Sequence, residues 1–258
     1  MIRVQKIWKS YGKLQVLKGL DLIVNEGETL VILGRSGVGK SVLLKQIIGL
    51  ETPDEGFVEI EGEKVTNLNT RAYQTKIKPM GMLFQGAALF DSMNVGENTA
   101  FYLRQHPESA YSEFEILERV AESLKMVGLE GTQKKMPSEL SGGMRKRAAL
   151  ARLIVYRPQI ILYDEPTTGL DPITSMQISE LINQTKAELN ATSIVVTHDI
   201  RSALEVGDRL AFHNDGKIAQ IAPKNDFFKI DDPLLNDFFN NAFIDKKKFY
   251  KPKQSGDS

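Results

Sequence analysis

The sequence predicts an α/β fold that combines a mixed, mainly parallel sheet core with an N-terminal antiparallel β-subdomain and an inserted α-helical subdomain. Short β-like segments dominate the opening third of the chain, whereas residues from about 92 to 157 carry amphipathic helix patterns and few strand signals. After them strand and helix alternate, which is the order of a parallel sheet. We therefore expect one unit with an inserted helical lobe in this chain of 258 residues.

Turn residues and apolar alternation indicate each element of the opening third. The expected elements, in chain order, are two strands within 2–24 around a turn at 11–13, a turn at 26–28, a strand at 29–33, a helix at 42–48, a turn at 52–56, a strand at 57–60 and a short apolar run at 81–84.

Helical periodicity dominates the middle of the chain, and alternation returns after it. The expected elements are an amphipathic helix at 112–127, a strand at 160–163, a helix at 172–190, a strand at 193–197 and a tight hairpin turn at 215–216.

Two short helical patterns rich in phenylalanine follow Lys224. Their apolar residues recur at spacings that put several of them on one helical face, which is too apolar for free solvent, so we expect packing on the chain's own sheet or on a second copy. These residues are Phe227, Phe228, Leu234, Leu235, Phe238 and Phe239. The lysine-rich tail beyond it is expected to be disordered.

Composition excludes several classes of function. Lysine plus arginine and aspartate plus glutamate number 33 each, so the chain as a whole has no electrostatic bias toward nucleic acid or an anionic membrane. The absence of cysteine excludes disulfides and thiolate metal sites and fits a reducing cytosol. No apolar run approaches the roughly 20 residues of a membrane-spanning helix, and the first residues resemble a strand rather than an export signal. We expect a cytosolic chain, or one that is attached to a membrane through a partner.

A glycine-rich loop separates the strand at 29–33 from the next helix. It matches the Walker A pattern, in which backbone N–H groups curl around phosphate oxygens. The loop consists of Gly34, Arg35, Ser36, Gly37, Val38, Gly39, Lys40 and Ser41. Lys40 supplies positive charge at the β and γ phosphates, the Ser41 hydroxyl ligates magnesium, and the helix points its positive end at the anion. The competing interpretation is a glycine-rich turn without a ligand.

Two acids follow the apolar strand at 160–163. In ATPases with a Walker A loop, the first acid, Asp164, holds magnesium, and its neighbour Glu165 polarises a water aimed at the γ-phosphate. The competing interpretation, two solvated acids that cap the following helix, becomes weak once the Walker A loop is present.

A second candidate anion site lies between these motifs. Ser141, Gly142 and Gly143 directly precede a basic helix at 145–152, so backbone N–H groups and the helix dipole can hold another anion there. One ATPase site does not need two such cradles.

The order of Walker A, Gln85, Leu-Ser-Gly-Gly, Walker B and His198 resembles the nucleotide-binding subunits of ABC transporters over residues 1 to about 223. The resemblance implies a head-to-tail dimer in which each ATP lies between one chain's Walker A loop and the other chain's Ser141 motif. It implies that Tyr11 stacks on adenine and that Asp171 reaches across the dimer. It further implies that Gln85 touches Mg²⁺ and the attacking water, and that His198 contacts the γ-phosphate. The metal ligands would then be Ser41, Gln85 and Asp164, and the catalytic residues Glu165, His198 and Gln85.

One residue departs from the common ABC pattern and indicates a particular branch of the family. The signature motif commonly ends in glutamine, and this chain has Met144 there. With Met144 and the segments 84–95, 138–147 and 164–173, the chain resembles the MlaF-like ATPases of Mla/Mce-type lipid transporters. That branch implies phospholipid transport, a membrane permease, an Mce-type lipid-binding protein, a small regulatory subunit and a peripheral place on the cytoplasmic face of the inner membrane. It implies no nucleic acid.

The resemblance also divides the chain. It implies an ABC ATPase domain at 1–223 with the helical subdomain at about 92–157 inserted, a C-terminal helical extension at 224–245 and a basic tail at 246–258. Residues 86–102 follow Gln85 and are expected to contact the permease through the apolar stretch at 87–90 and Met93. The alternative is that Leu89 and Phe90 fill the core of the helical lobe.

Two other functions stay open from the sequence. A non-transport ABC ATPase that acts on ribosomes or DNA would usually carry two cassettes or a long coiled-coil insertion, and neither is visible here. A transmitter module would use ATP-driven dimerisation to control a membrane-bound hydrolase.

Overall fold

The computed structural model describes residues 1–66, 80–106 and 111–242, which form two β-sheets and a set of helices. The strands are β1 (Ile2–Tyr11), β2 (Leu14–Val24), β3 (Thr29–Leu33), β4 (Glu55–Ile60), β5 (Glu63–Lys64), β6 (Met80–Leu83), β7 (Ile160–Asp164), β8 (Thr192–Thr197), β9 (Arg209–Asn214) and β10 (Lys217–Pro223). The helices are α1 (Lys40–Ile47), α2 (Val95–Gln105), α3 (Glu113–Met126), α4 (Gly142–Ile154), α5 (Pro172–Leu189), α6 (Ile200–Val206), α7 (Lys224–Phe227) and α8 (Pro233–Asn241), with a 3₁₀ turn at Pro137–Glu139.

The two sheets differ in strand direction. The smaller has the order β2-β1-β4-β5 and is antiparallel throughout. The larger has the order β10-β9-β3-β8-β7-β6, and its pairs are parallel except for β9 with β10. The predicted fold class is confirmed by this architecture.

Side chains of the larger sheet alternate between two hydrophobic cores. Leu30 and Ile32 of β3 pack with α1 and the smaller sheet. Val31 and Leu33 belong to the opposite core, which includes the buried residues of the helical lobe and of the C-terminal helices. Both faces of β3 are covered, and its residues from Leu30 to Leu33 form a continuous apolar run, as is usual for parallel strands.

Capping residues fix the starts of the lobe helices. Asn94 accepts from the backbone N–H of Glu97 and Ser112 from that of Glu115, and each glutamate returns the bond in a capping box. The 3.6-residue pattern that predicted a helix at 112–127 is confirmed by α3, which Ser112 and Val127 flank as caps.

The C-terminal helices pack on the chain's own sheet. Phe227 and Phe239 are buried, and the ring of Phe238 lies 5.1 Å from that of Phe212 in β9. Leu234 is an exception to the expected apolar face, because it is 53% exposed on the outer side of α8. The expected disordered tail lies outside the described residues.

None of the helices in the described ranges combines the length and the hydropathy that crossing a bilayer requires.

Candidate active site

The Walker A loop connects β3 to α1 and turns sharply at Gly39. This residue has φ 104°, a conformation that L side chains rarely adopt, and a Cβ there would lie 2.6 Å from Cγ1 of Val16. Glycine at this position therefore allows the smaller sheet to approach the loop closely.

Lys40 is the first residue of α1, and its side chain is buried under the loop. Its Nζ donates to the carbonyl oxygens of Gly34 at 2.8 Å and Arg35 at 3.0 Å, and it lies 3.4 Å from Oε1 of Glu165. Burial lowers the pKa of Lys40, and the Glu165 carboxylate opposes that shift. A phosphate would compete with Glu165 for this ammonium.

Ser41 and Asp164 are brought together although they are 123 positions apart in the sequence. The Ser41 hydroxyl donates to Oδ1 of Asp164 at 2.7 Å, and Asp164 is buried at the end of β7. Burial raises the pKa of this carboxyl, while the bond from Ser41 opposes the shift. The two groups form a compact pair of oxygen donors.

Glu165 is held at one carboxylate oxygen by the residues around it. Its Oε2 lies 2.9 Å from Nδ1 of His198 and accepts from the hydroxyls of Thr168 at 3.0 Å and Thr197 at 3.3 Å. The residue has a left-handed backbone with φ 47°. Strained backbone of this kind is concentrated at functional sites.

Several of these groups, though not the buried Asp164, line a cavity of about 400 Å³. Among the residues that line it are Tyr11, Lys40, Gln85, Glu165 and His198. Tyr11 is 45% exposed, and its hydroxyl donates to Glu51. Burial and this bond raise the pKa of Tyr11 to about 12. A wider groove of about 740 Å³ lies beside the cavity and shares Thr168 and His198 with it.

The Ser141 motif occupies the N-terminus of α4. The Ser141 hydroxyl oxygen accepts from the N–H of Met144 at 3.3 Å, and a Cβ at Gly143 would lie 2.5 Å from Cγ2 of Thr174. None of Ser141, Gly142 and Gly143, all within the described ranges, lines the 400 Å³ cavity. Within one chain the two predicted anion cradles are therefore separate.

Asp171 caps α5. Its Oδ1 accepts from the N–H groups of Ile173 and Thr174 at 3.1 Å each, and bonds from Thr174 lower the pKa of its carboxyl. Its side chain is exposed. The structure thus gives this residue a local role in addition to the one that the sequence resemblance implies.

The contacts of three cationic residues near the site were not predicted from the sequence. Lys146 donates to the backbone carbonyls of Gln85 and Glu165, and Arg152 donates to those of Ala87 and Ala88. Arg35 of the Walker A loop pairs with Asp237 of α8 at 2.5 Å, an exposed ion pair. The signal available for Lys146 was its helical spacing from Ala149, Leu150 and Leu153, which would have placed it on the buried face.

A family model described as ABC transporter matches residues 17–168 of this chain. The chain belongs to the ABC transporter family. A probable ribonucleotide transport ATP-binding protein of Mycobacterium leprae is 41% identical over 94% of this chain and 70% of its own length. The chloroplastic protein trigalactosyldiacylglycerol 3 of Arabidopsis thaliana is 38% identical over 92% of this chain and 73% of its own. A sulfate/thiosulfate import ATP-binding protein of Bacillus cereus is also 38% identical, over 98% and 70%.

Solved ABC structures share the fold of this chain. A dimeric bacterial ABC transporter cassette has a TM-score of 0.80 and 35% identity over 87% of this chain and 99% of its own. A dimeric cassette in a post-hydrolysis state, bound to ADP and Pi, gives the same values. The chain is thus the ATP-binding subunit of an ABC transporter, it hydrolyses ATP, and ABC cassettes of this kind dimerise and work with membrane permeases.

Proposed function

We propose that this ABC subunit drives an envelope lipid transporter of the Mla/Mce type and that Glu165 is the general base of its ATPase cycle. One observation carries the catalytic part: Lys40, Glu165 and His198 follow the carboxyl ends of three parallel strands and face one cavity. In open α/β sheets, ligands bind at that edge.

The roles follow from the contacts. The loop from Gly34 to Ser41 and the positive end of α1 bind the phosphates, with Lys40 beside the γ-phosphate. Glu165 accepts a proton from a water that attacks the γ-phosphorus, so that the new O–P bond forms as the β,γ-bridging bond breaks. His198 and Thr168 fix the carboxylate through Oε2. The ring of Tyr11 lies at the rim of the cavity, where it can stack on adenine.

The residues of the site fit Mg²⁺. Ser41 and Asp164 present hard oxygen donors 2.7 Å apart, close to the ~3 Å expected between neighbouring ligands of an octahedral magnesium ion. We propose that these two residues and Gln85 hold the ion. When bound, Mg²⁺ neutralises charge on the β and γ phosphates.

A second copy of the chain completes the site in this proposal. The Ser141 motif is exposed at the N-terminus of the 13-residue helix α4 and lies apart from its own chain's cavity. Its backbone N–H groups can therefore receive the γ-phosphate bound by the partner's Walker A loop, in a head-to-tail dimer, with Asp171 at the interface.

The permease contact is proposed at residues 86–102, and the burial of individual side chains limits which of them a partner can touch. Ala87 was expected to be part of an apolar contact stretch, but it is 3% exposed and belongs to the core. Phe90 is 40% exposed, with its ring 4.6 Å from that of Phe101. Phe90 and the neighbouring exposed residues are therefore the ones available to a partner.

Lipid cargo is the part of the proposal that rests on resemblance. Met144 and the segments around Gln85, Ser141 and Asp164 support it, and so does the galactolipid in the name of the Arabidopsis relative. The names of the other relatives specify ribonucleotide and sulfate or thiosulfate.

The same proposal places an Mce-type lipid-binding protein and a small regulatory subunit in the complex. It places the complex at the inner membrane, with this subunit on the cytoplasmic face. It divides the chain into an ATPase unit at 1–223, with the lobe at about 92–157, and an extension at 224–245.

Purification of the native complex tests the proposal. The full chain is tagged, solubilised with its membrane partners in mild detergent and analysed by mass spectrometry of proteins and extracted lipids, with an untagged strain as the control. We expect a permease, an Mce-type protein and enriched phospholipid. Recovery of ribosomes, of a wall hydrolase, or of a permease with a hydrophilic-solute receptor would contradict the lipid assignment.

A further inference from the structure

Lys146 is a buried cation in α4, the helix that begins at the Ser141 motif. It lies one turn after Gly142 in α4 and is 6% exposed. Its neighbours on the same helical face, Ala149, Leu150 and Leu153, are all part of the hydrophobic core. A buried lysine is costly unless its charge is paired or hydrogen-bonded, so this position requires a polar partner.

The partners of Lys146 are two backbone carbonyls at the site. Its Nζ donates to the carbonyl oxygen of Gln85 and, at 3.3 Å, to that of Glu165. β6 and β7 are parallel neighbours with Leu83 opposite Tyr163, so Gln85 and Glu165 each lie two residues beyond a paired position. One ammonium thus joins the equivalent ends of two adjacent strands.

The carboxylates of Asp164 and Glu165 act on this buried ammonium and offset part of the cost of its burial. The Glu165 carbonyl that it contacts belongs to a residue with left-handed backbone, which needs surrounding structure to persist. The ammonium supplies part of that structure.

Arg152 holds the next residues of the same loop. Its guanidinium donates to the carbonyl of Ala88 at 2.7 Å and to that of Ala87 at 3.2 Å, and both alanines have left-handed backbone. Together, Lys146 and Arg152 fasten α4 to the loop at 85–88 and to the end of β7.

We propose that Lys146 is a positioning residue for ATP hydrolysis, holding the backbones of Gln85 and Glu165 in mutual register and linking both to the Ser141 motif. Lys146 is five residues, or about 7.5 Å along the helix axis, from Ser141, and one continuous helix connects them. A displacement of the Ser141 motif therefore displaces the ammonium relative to β7. Glu165 is aligned for catalysis only when α4 lies where Lys146 can donate to the carbonyls of both Gln85 and Glu165. This inference rests on the proposed role of Glu165 and is independent of the cargo.

The test compares three substitutions in the full-length chain. Lys146→Met keeps the length of the aliphatic stem but removes the donors, Lys146→Arg keeps a cationic donor, and Lys146→Gln keeps a neutral one. Lys125→Met is the matched control, because Lys125 is an exposed lysine of the same lobe. The kcat and KM for ATP are measured over a range of protein concentrations, with ATP affinity and melting temperature measured separately.

We expect Lys146→Met to lose at least tenfold in kcat while KM and ATP affinity stay within threefold of the parent. Lys146→Arg should recover at least half of the parent kcat, and Lys125→Met should match the parent. If Lys146→Met does not fold, the same changes in kcat and KM are expected of Lys146→Gln. The proposal is overturned if the folded variant keeps more than half of the parent kcat, or if ATP affinity falls in proportion to kcat. Glu165→Gln is measured in parallel: an inactive Glu165→Gln beside an active Lys146→Met refutes the positioning role alone, whereas an active Glu165→Gln refutes the base assignment.

Discussion

Nδ1 of His198 lies 2.9 Å from Oε2 of Glu165, although the two residues are 33 positions apart in the chain. They meet because β7 and β8 are parallel neighbours and each residue follows the end of its strand. The other carboxylate oxygen of Glu165, Oε1, points toward Lys40 and lies 3.4 Å from its Nζ. The histidine, brought close by the sheet, therefore orients the carboxylate together with Thr168 of the local loop.

Ser141→Arg should abolish ATP hydrolysis without unfolding the chain. Ser141 is exposed, so an arginine fits on the surface of one chain, but its bulk would enter the cradle proposed for the partner's γ-phosphate. Ser141→Ala controls for the loss of the N-cap, which typically costs about 1 kcal/mol. Normal turnover by Ser141→Arg in the assembled complex would show that the composite site is wrong.

Phe90→Asp should leave the isolated chain folded and able to bind ATP, while its association with the permease is lost. The half-exposed ring can be removed because the backbone of Phe90 is bonded to the buried Asn98 side chain at 2.8 Å and 3.0 Å. Phe114→Asp is the control, since Phe114 is 69% exposed in α3 of the same lobe. Co-purification of the permease measures the effect. Unfolding of the Phe90 variant would favour the core interpretation, and an intact complex would place the contact elsewhere.

His213→Leu should reduce the loss of stability in acid. His213 is buried in β9 with neither ring nitrogen hydrogen-bonded among the described residues, and burial, assisted by Lys40 and opposed by Asp215, lowers its pKa to about 4. Between the unfolded value of about 6.5 and this pKa, the unfolded chain binds more protons, so stability falls as pH decreases.

The size of this effect follows from the shift. Between pH 7 and pH 4.5 the parent should lose about 2 kcal/mol more unfolding free energy than His213→Leu. Urea unfolding of both proteins at the two pH values measures the difference. Parallel pH dependences would mean that His213 is protonated as readily in the folded chain as in the unfolded one.

Local chemistry made much of the fold predictable. The Asp215-Gly216 pair predicted a tight hairpin, and the two residues have φ 45° and 75° between β9 and β10. Pro172 begins α5 behind the cap Asp171, and the helix ends at Leu189, before the left-handed Asn190. Such signals are encoded within a few residues, so spacing alone reveals them.

Contacts between distant segments were not predictable in this way. The basic run around Lys146 has the composition of a solvated helix face. Helical spacing indicates that Lys146 is buried, but its partners, carbonyls 61 and 19 residues away, are visible only in the folded chain. The pairing of Arg35 with Asp237 joins residues 202 positions apart. Ala87 was expected at a partner surface but turns into the core, because its left-handed backbone redirects the chain.

Single-turnover ATP hydrolysis by Glu165→Gln, measured beside equilibrium ATP binding, tests directly whether Glu165 is the general base. Glutamine keeps the size of the side chain but cannot accept the proton of the attacking water, whereas Lys40 and the Walker A loop are unchanged. Glu180→Gln, an exposed glutamate of α5, is the matched control. Turnover should fall by at least about 100-fold while ATP is still bound. Turnover by Glu165→Gln close to that of the parent would contradict the assignment of Glu165 as the general base.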